Sequence, residues 1–221
     1  MNEFLDKVHG DGRYFTRLAA AYVRGRLGDA APGGADDELI EAGLKAGLRL
    51  HKFKRNAELP RVRKVLGILR GLAPASLLDV GSGRGTFLWP LLDAFPALEV
   101  TASDTNPVRV ADIAAVGAGG VANLRALRMD AAVMGLEDGA AEVVTALEVL
   151  EHMATPQRAA AEAVRVAGRW VVASVPSKED DNPEHVRLFD RRSFESLFLD
   201  AGARGVKVEY VPGHMIAVAK V

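Results

Sequence analysis

Apolar residues change their spacing early in the chain. Before residue 73 they recur three or four positions apart, as Val62, Val65, Leu66 and Leu69 do, which is the period of an amphipathic helix. After residue 75, short apolar runs alternate with stretches of helical period. This change predicts a helical N-terminal segment followed by a sheet whose strands are connected by helices.

The N-terminal segment is interrupted by Ala-Ala-Pro-Gly-Gly-Ala at residues 30–35, a composition typical of a loop. Asp36 or Asp37 can cap the helix that follows, and Pro60 suits the first turn of a third helix. We therefore expect residues 1–58 to form an N-terminal helical appendage or lid, and residues 59–221 to form the main domain.

The sequence of the main domain predicts alternating strands and helices. Strands are predicted at Ser76–Val80, Leu98–Ser103, Val121–Met129, Glu142–Leu147, Arg169–Val175, Val206–Val211 and Met215–Val221, and helices at Gly85–Phe95, Pro107–Val116, Pro156–Val166 and Arg192–Ala201. Because Pro212-Gly213 is too short for a crossover, the last two strands are expected to form an antiparallel hairpin. The expected fold class is α/β: a Rossmann-like, seven-stranded, mostly parallel sheet with a terminal antiparallel hairpin, plus N-terminal helices.

The first strand leads directly into a glycine-rich turn, Leu-Leu-Asp-Val-Gly-Ser-Gly-Arg-Gly at residues 77–85. Glycine at Gly81, Gly83 and Gly85 permits positive φ and lets the backbone pass close to a ligand. Asp79 places a carboxylate beside this turn. Asp104 and Asp130 end the next two strands. Asp104 has the spacing at which an acid meets a ribose diol in nucleotide-binding units, although either acid also suits a turn.

Composition restricts the classes of protein that remain. The 221 residues are 49% hydrophobic, enough for one core of ordinary domain size. The net charge of −1 gives no general attraction to nucleic acid, although a local patch would suffice for one. The absence of cysteine excludes disulfides and thiolate chemistry. The first residues lack the apolar core of a signal peptide, and no run is long enough to span a membrane, so we expect a cytoplasmic location.

The glycine-rich turn, Asp104, Asp130-Ala131 and the hairpin together resemble the class I S-adenosylmethionine-dependent methyltransferases. By this resemblance Asp79 would meet the ammonium group of the cofactor, the glycines its amino-acid part, Asp104 its ribose and Asp130 its adenine. The cofactor-binding residues implied are Asp79, Gly81, Gly83, Gly85, Asp104, Thr105, Asp130, Ala131 and Glu148. A nicotinamide-binding fold shares the first turn, but it usually has Gly-x-Gly-x-x-Gly.

A second group of polar residues follows the fourth strand. Glu148, Glu151 and His152 stand at i, i+3 and i+4, so in a helical turn they would share one face, and His185 follows the fifth strand. One hypothesis makes His152 or His185 a general base, with the glutamates as orienting groups. Another makes the four residues a site for Mg²⁺, Mn²⁺ or Zn²⁺. In a third interpretation, Glu151 and His152 have no chemical role and are simply residues in the first turn of a surface helix.

The Glu-x-x-Glu-His pattern resembles both ubiquinone-type O-methyltransferases and small-RNA 2′-O-methyltransferases. We expect S-adenosylmethionine-dependent O- or N-methylation of a small molecule, with His152, Glu151 and His185 as catalytic residues. The alternatives are a metal-dependent 2′-O-methyltransferase of RNA 3′ ends and a noncatalytic cofactor-binding subunit. The sequence leaves the acceptor, a bound metal and the oligomeric state open.

Overall fold

The computed structural model describes residues 15–55, 59–179 and 181–221. Its centre is a seven-stranded sheet in the order β3-β2-β1-β4-β5-β7-β6. The strands are β1 (Ser76–Val80), β2 (Glu99–Asp104), β3 (Leu124–Arg128), β4 (Ala141–Leu147), β5 (Ala167–Pro176), β6 (Gly205–Val211) and β7 (His214–Lys220). Strands β1 to β5 are parallel, whereas β7 is antiparallel to both β5 and β6. The predicted fold class, including the terminal hairpin, is confirmed.

Seven helices occupy the described residues around this sheet. They are α1 (Thr16–Leu27), α2 (Asp36–Lys45), α3 (Pro60–Leu72), α4 (Leu88–Ala94), α5 (Pro107–Ala118), α6 (Pro156–Val166) and α7 (Arg191–Asp200). Helix α4 begins three residues later than predicted, because Gly85 has a φ of 86° and so cannot continue a right-handed helix. The third strand is shorter than predicted, because the amide of Leu124 donates to the carbonyl of Val121 in a turn.

Helices cover both faces of the sheet, so that successive residues of its central strands are buried in opposite cores. Leu77 of β1 belongs to one hydrophobic cluster and the next residue, Leu78, to the other. The first cluster receives side chains from α1 to α5, and the second receives side chains from α6 and α7. Within the described residues, no helix combines the length and apolar character that crossing a bilayer requires.

The N-terminal helices pack into the first of these clusters. Phe53 is completely buried between Tyr22 and Trp89, with ring centroids 5.2 and 4.8 Å away. Helix α1 lies so close to α5 that a Cβ atom on Gly25 would come within 1.9 Å of the carbonyl oxygen of Ala115. Residues 15–55 therefore share a continuous core with the sheet. Tyr14, which the sequence pattern assigned to this helical segment, lies outside the described residues.

Candidate active site

A cavity of about 520 Å³ opens at the carboxyl ends of β1, β2 and β4. Strand β1 pairs with β2 on one side and with β4 on the other, so the connections leave β1 and β4 in opposite directions here. Ligands of open α/β sheets bind at such a point. The lining includes seven of the nine residues that the sequence assigned to cofactor binding: Gly81, Gly83, Asp104, Thr105, Asp130, Ala131 and Glu148.

The glycine-rich turn and Asp104 are in direct contact. The amide of Gly83 donates to Oδ2 of Asp104 at 2.9 Å, and the amide of Ser82 donates to the carbonyl of Ser103 at 2.9 Å. Gly81 has a φ of 69°, and a Cβ there would lie 2.6 Å from a methyl group of Val149. A side chain at Gly81 is therefore excluded both by backbone conformation and by space.

Asp104 is almost buried and holds a fixed position. Its Oδ1 accepts a hydrogen bond from the amide of Asn106 at 2.8 Å, and Nη1 of Arg109 lies 3.3 Å from its Oδ2. Arg109 also lines the cavity, although the sequence analysis did not single it out. Its position on α5, five residues beyond the end of β2, is a signal that could have been used.

Asp79 is buried in a smaller adjoining cavity of about 160 Å³, which Gly81 and Glu148 also line. Its Oδ1 accepts from the hydroxyl of Thr145 at 2.7 Å, whereas its Oδ2 has no hydrogen-bond partner among the described residues. Burial raises the pKa of Asp79 to about 6, although the hydroxyl groups of Ser82 and Thr145 act in the opposite direction. A buried carboxylate with one free oxygen fits a cationic ligand group.

Asp130 and Gly85, two further residues predicted to bind the cofactor, do not make the contacts that Asp104 makes. Asp130 lies at the exposed end of the cavity, where its Oδ1 accepts from the amide of Ala132 at 2.8 Å. Gly85 lies outside the 520 Å³ cavity, and a Cβ there would meet the ring of Trp89 at 2.1 Å. The absence of a side chain at Gly85 thus makes room for Trp89, whose indole N–H donates to the carbonyl of Arg84 at 2.9 Å.

Glu148 does not share a helical face with Glu151 and His152, so that expectation was wrong. Glu148 has a φ of 58°, and the 3₁₀ turn begins only at Leu150. Its carboxylate turns instead toward β5 and β7, where it accepts from the hydroxyl of Ser174 at 2.8 Å and lies 2.9 Å from Nε2 of His214. Although burial acts to raise it, the pKa of Glu148 is held below its ordinary value by the His214 hydrogen bond and by the charge of Arg61.

His214 and Arg61 were both missed by the sequence analysis. His214 is 66 residues from Glu148 in the chain, and Arg61 lies 3.9 Å from Glu148 on a separate helix. His214 is the first residue of β7, and the pairing of β7 with β5 places it at this end of the sheet. No local pattern indicated either contact.

The other members of the second polar group do come together. Glu151, His152 and His185 offer ligand atoms that lie within 4.8 Å of one another. The carboxylate of Glu151 is fully buried, and the two imidazole rings meet edge to face with centroids 4.7 Å apart. His152 lines the 520 Å³ cavity, and its Nδ1 lies 3.0 Å from the carbonyl oxygen of Glu184.

Comparisons with known proteins concern the domain as a whole. Residues 78–169 match the family model described as a methyltransferase domain. Solved structures of the same fold include an O-methyltransferase family protein from Burkholderia thailandensis (TM-score 0.62, 18% identity, covering 73% of this chain and 55% of that one). A SAM-dependent methyltransferase from Aquifex aeolicus matches with a TM-score of 0.60 and 23% identity, covering 74% of this chain and 91% of the other.

The N-terminal domain of EvdMO1, solved with S-adenosylhomocysteine bound, matches with a TM-score of 0.54 and 16% identity, covering 75% of this chain and 81% of the other. The chain spans only about half the length of the Burkholderia protein. No curated protein matches the chain.

The sheet order and the terminal hairpin define a Rossmann-like α/β fold, with a cavity beside the glycine-rich turn. The family match is more specific: residues 78–169 are similar to a methyltransferase domain, and the solved structures of the same fold include methyltransferases.

Proposed function

We propose that this protein transfers a methyl group from S-adenosylmethionine to an oxygen or nitrogen atom of a small molecule. The observation that carries the proposal is the contact between the glycine-rich turn and Asp104 at the rim of one cavity, beside a buried Asp79 with a free oxygen. When bound, the cofactor supplies a methyl group already activated on a sulfonium. The chain's own residues then have to orient both reactants and exclude water.

The residues present fit this cofactor. Oδ2 of Asp79 would accept from the ammonium group, and the backbone at Gly81 leaves room for the amino-acid part. Asp104 would accept hydrogen bonds from the ribose hydroxyls, and Asp130 with Ala131 would lie against the adenine. Thr105 and Glu148 complete the wall of the same cavity.

A hydroxyl acceptor also has to lose a proton, and His152 is the best-placed base. A proton on its Nδ1 would be donated to the carbonyl of Glu184, which leaves the lone pair on Nε2. Glu151 and His185, whose ligand atoms lie within 4.8 Å of that of His152, would hold the ring in place. An acceptor proton would therefore move to Nε2 of His152.

A metal-assisted version of the same reaction is favoured by one observation, the 4.8 Å clustering of Glu151, His152 and His185. Two imidazoles and a carboxylate suit Mn²⁺ or Zn²⁺, and a histidine ligand typically donates its second ring N–H to a carbonyl, as the contact with Glu184 allows. A vicinal diol, in a catechol or at an RNA 3′ end, would be the acceptor of such a site.

The proposal is tested by titrating the protein calorimetrically with S-adenosylhomocysteine and, separately, with NADH, followed by radiolabelled methyl transfer to a panel of phenols, catechols, amines and a short single-stranded RNA. Binding of S-adenosylhomocysteine alone, with label transferred to a small molecule, is the expected result. Label in the RNA alone would establish the 2′-O-methyltransferase alternative. Binding without transfer to any acceptor would favour the noncatalytic subunit, and binding of NADH alone would reject all three.

Replacing His152 is expected to separate catalysis from cofactor binding. His152→Gln should lower kcat by about 10²-fold or more, because the base is lost, while the Kd for S-adenosylhomocysteine changes less than about threefold. Arg158→Gln, which changes an exposed side chain of α6 outside the 520 Å³ cavity, is the control. An equal loss of kcat in the control would contradict a specific role for His152.

The metal version is tested by direct Mn²⁺ titration of the cofactor-loaded protein. Glu151→Gln and His185→Gln are expected to weaken Mn²⁺ binding by about tenfold or more if the cluster is a metal site. Unchanged turnover in the presence of a strong chelator would exclude the metal and leave His152 as a simple base.

Ionisation of Asp79 predicts how cofactor binding depends on pH. Because its pKa is raised to about 6 and a cation prefers the ionised form, the Kd for S-adenosylhomocysteine is expected to rise about tenfold between pH 7 and pH 5. Asp79→Asn should bind more weakly at pH 7 and lose this pH dependence. A wild-type Kd that is constant over this range would contradict contact between Asp79 and the ammonium group.

The raised pKa of Asp79 also affects the stability of the folded protein. An acid whose pKa is raised from 3.8 to about 6 on folding adds stability below its ordinary pKa, and that stability is lost as pH rises through about 6. Asp79→Asn should therefore raise the free energy of unfolding of the unliganded protein at pH 7 by about 2–3 kcal/mol. Thermal unfolding at pH 4 and pH 7 checks this, with the gain expected only at the higher pH.

A further inference from the structure

The largest of the described cavities is not the cofactor cavity. A space of about 630 Å³ lies between α3, α4 and the 3₁₀ turn His51–Phe53. Its inner wall is apolar, with Val62, Leu66 and Trp89, and its rim carries basic side chains. We call it the basic cavity, and its cationic lining residues are Lys52, Lys54, Arg55, Arg70 and Arg84.

Among the described residues, acids balance only part of the positive charge of this cavity. Lys52 pairs with Asp112, and Arg55 pairs with Asp93 at 2.7 Å. Across residues 15–55, 59–179 and 181–221, no carboxylate forms an ion pair with Lys54, Arg70 or Arg84. The described lining of the cavity is therefore positive, although the whole chain has a net charge of −1.

The basic cavity adjoins the position proposed for the methyl donor. Val62, Arg84 and Thr86 line both the basic cavity and the 160 Å³ cavity that contains Asp79 and Glu148. The segment that carries Arg84 and Thr86 is thus a wall shared between them. A molecule anchored in the basic cavity would extend toward the cofactor's amino-acid end.

We propose that the basic cavity binds the methyl acceptor, and that this acceptor is a small apolar or aromatic molecule carrying a phosphate or another anionic group; this rests on the methyltransferase function proposed above. The volume lies within the range of small-molecule sites, and the apolar wall with a cationic rim suits an amphiphilic anion. A single-stranded RNA would need exposed aromatic rings for stacking, whereas Trp89 and Phe15 are buried.

Naphthyl phosphate and naphthol are matched probes for this site, because they differ only in the anionic group. Calorimetric titration at low ionic strength is expected to show at least about tenfold tighter binding of naphthyl phosphate. The double variant Lys54→Gln/Arg70→Gln should remove most of this preference. Arg63→Gln, an exposed arginine of α3 outside the cavity, should leave it unchanged. Each protein is titrated with and without saturating S-adenosylhomocysteine.

The outcomes separate this proposal from the proposed function. Equal binding of the two probes, or a preference that survives in the double variant, would overturn the anion site. A tetraribonucleotide that binds more tightly than naphthyl phosphate through the same two side chains would also overturn the proposal, because the cavity would then be an RNA site. A phosphate preference that depends on Lys54 and Arg70 in a protein that fails to bind S-adenosylhomocysteine would support the anion site while overturning the cofactor assignment.

Discussion

Asp104→Asn is expected to weaken binding of S-adenosylhomocysteine by about 10–100-fold. The carboxylate is almost buried at the rim of the 520 Å³ cavity, where by the proposed function it would accept two ribose hydroxyls. A hydrogen bond to a charged group contributes about 1.5–3 kcal/mol, so loss of one such bond accounts for this range. The amide retains the shape of the carboxylate and can still accept from the amide of Asn106, but its NH2 group then faces the N–H of Gly83, so the contact with the glycine-rich turn is also lost. Calorimetric titration at pH 7 measures the change.

The matched control for Asp104 is Asp138→Asn, which changes an exposed acid that does not line the cavity. Its Kd for S-adenosylhomocysteine should stay within about twofold of the wild-type value, because a surface ion pair such as the one with Arg165 contributes little. If Asp104→Asn bound as tightly as the control, the ribose contact would be wrong. Thermal unfolding of both variants shows whether any loss comes from the fold instead.

Phe53→Ala is expected to lower the free energy of unfolding by about 3–5 kcal/mol. Phe53 is completely buried and links Tyr22 of the N-terminal segment to Trp89 of α4. For a chain of this length, such a loss corresponds to a fall in Tm of roughly 10 °C. Unfolding should remain a single transition, because the N-terminal helices and the sheet share one core.

Leu199→Ala is the control for Phe53, since Leu199 is a large apolar residue of α7 that is 43% exposed. Its effect should stay below about 0.5 kcal/mol. A small loss in Phe53→Ala, or an early separate transition, would show that residues 15–55 are a detachable appendage. The packing of α1 against α5 is the reason to expect the opposite.

Much of the fold was predictable because burial on a sheet follows a local pattern. Strand β1 and helix α6 have the predicted bounds, and β7 follows the short Pro212-Gly213 link as an antiparallel partner. The glycine-rich turn was also predictable from local sequence, because positive φ and close approach of the backbone each require glycine at a fixed position after a strand. Its contact with Asp104 follows from parallel pairing of β1 and β2.

The second polar group shows where local spacing fails. Spacing alone placed Glu148 on one helical face with His152, but the left-handed backbone at Glu148 turns its carboxylate toward His214. The backbone conformation of a residue that follows a strand depends on its tertiary contacts. For Glu148 these are contacts with Ser174 and His214 on neighbouring strands. Contacts of that kind join residues far apart in the chain, so a local pattern does not contain them.

By itself, the sequence determined the order of strands and helices, the glycine-rich turn and the acids at the strand ends, because each depends on residues within a few positions of one another. Only the tertiary structure decided that Glu151, His152 and His185 cluster without Glu148, and that a basic cavity adjoins the turn. Both features are formed by side chains from separate elements. Their charges and distances therefore exist only once the sheet and both helix layers have packed.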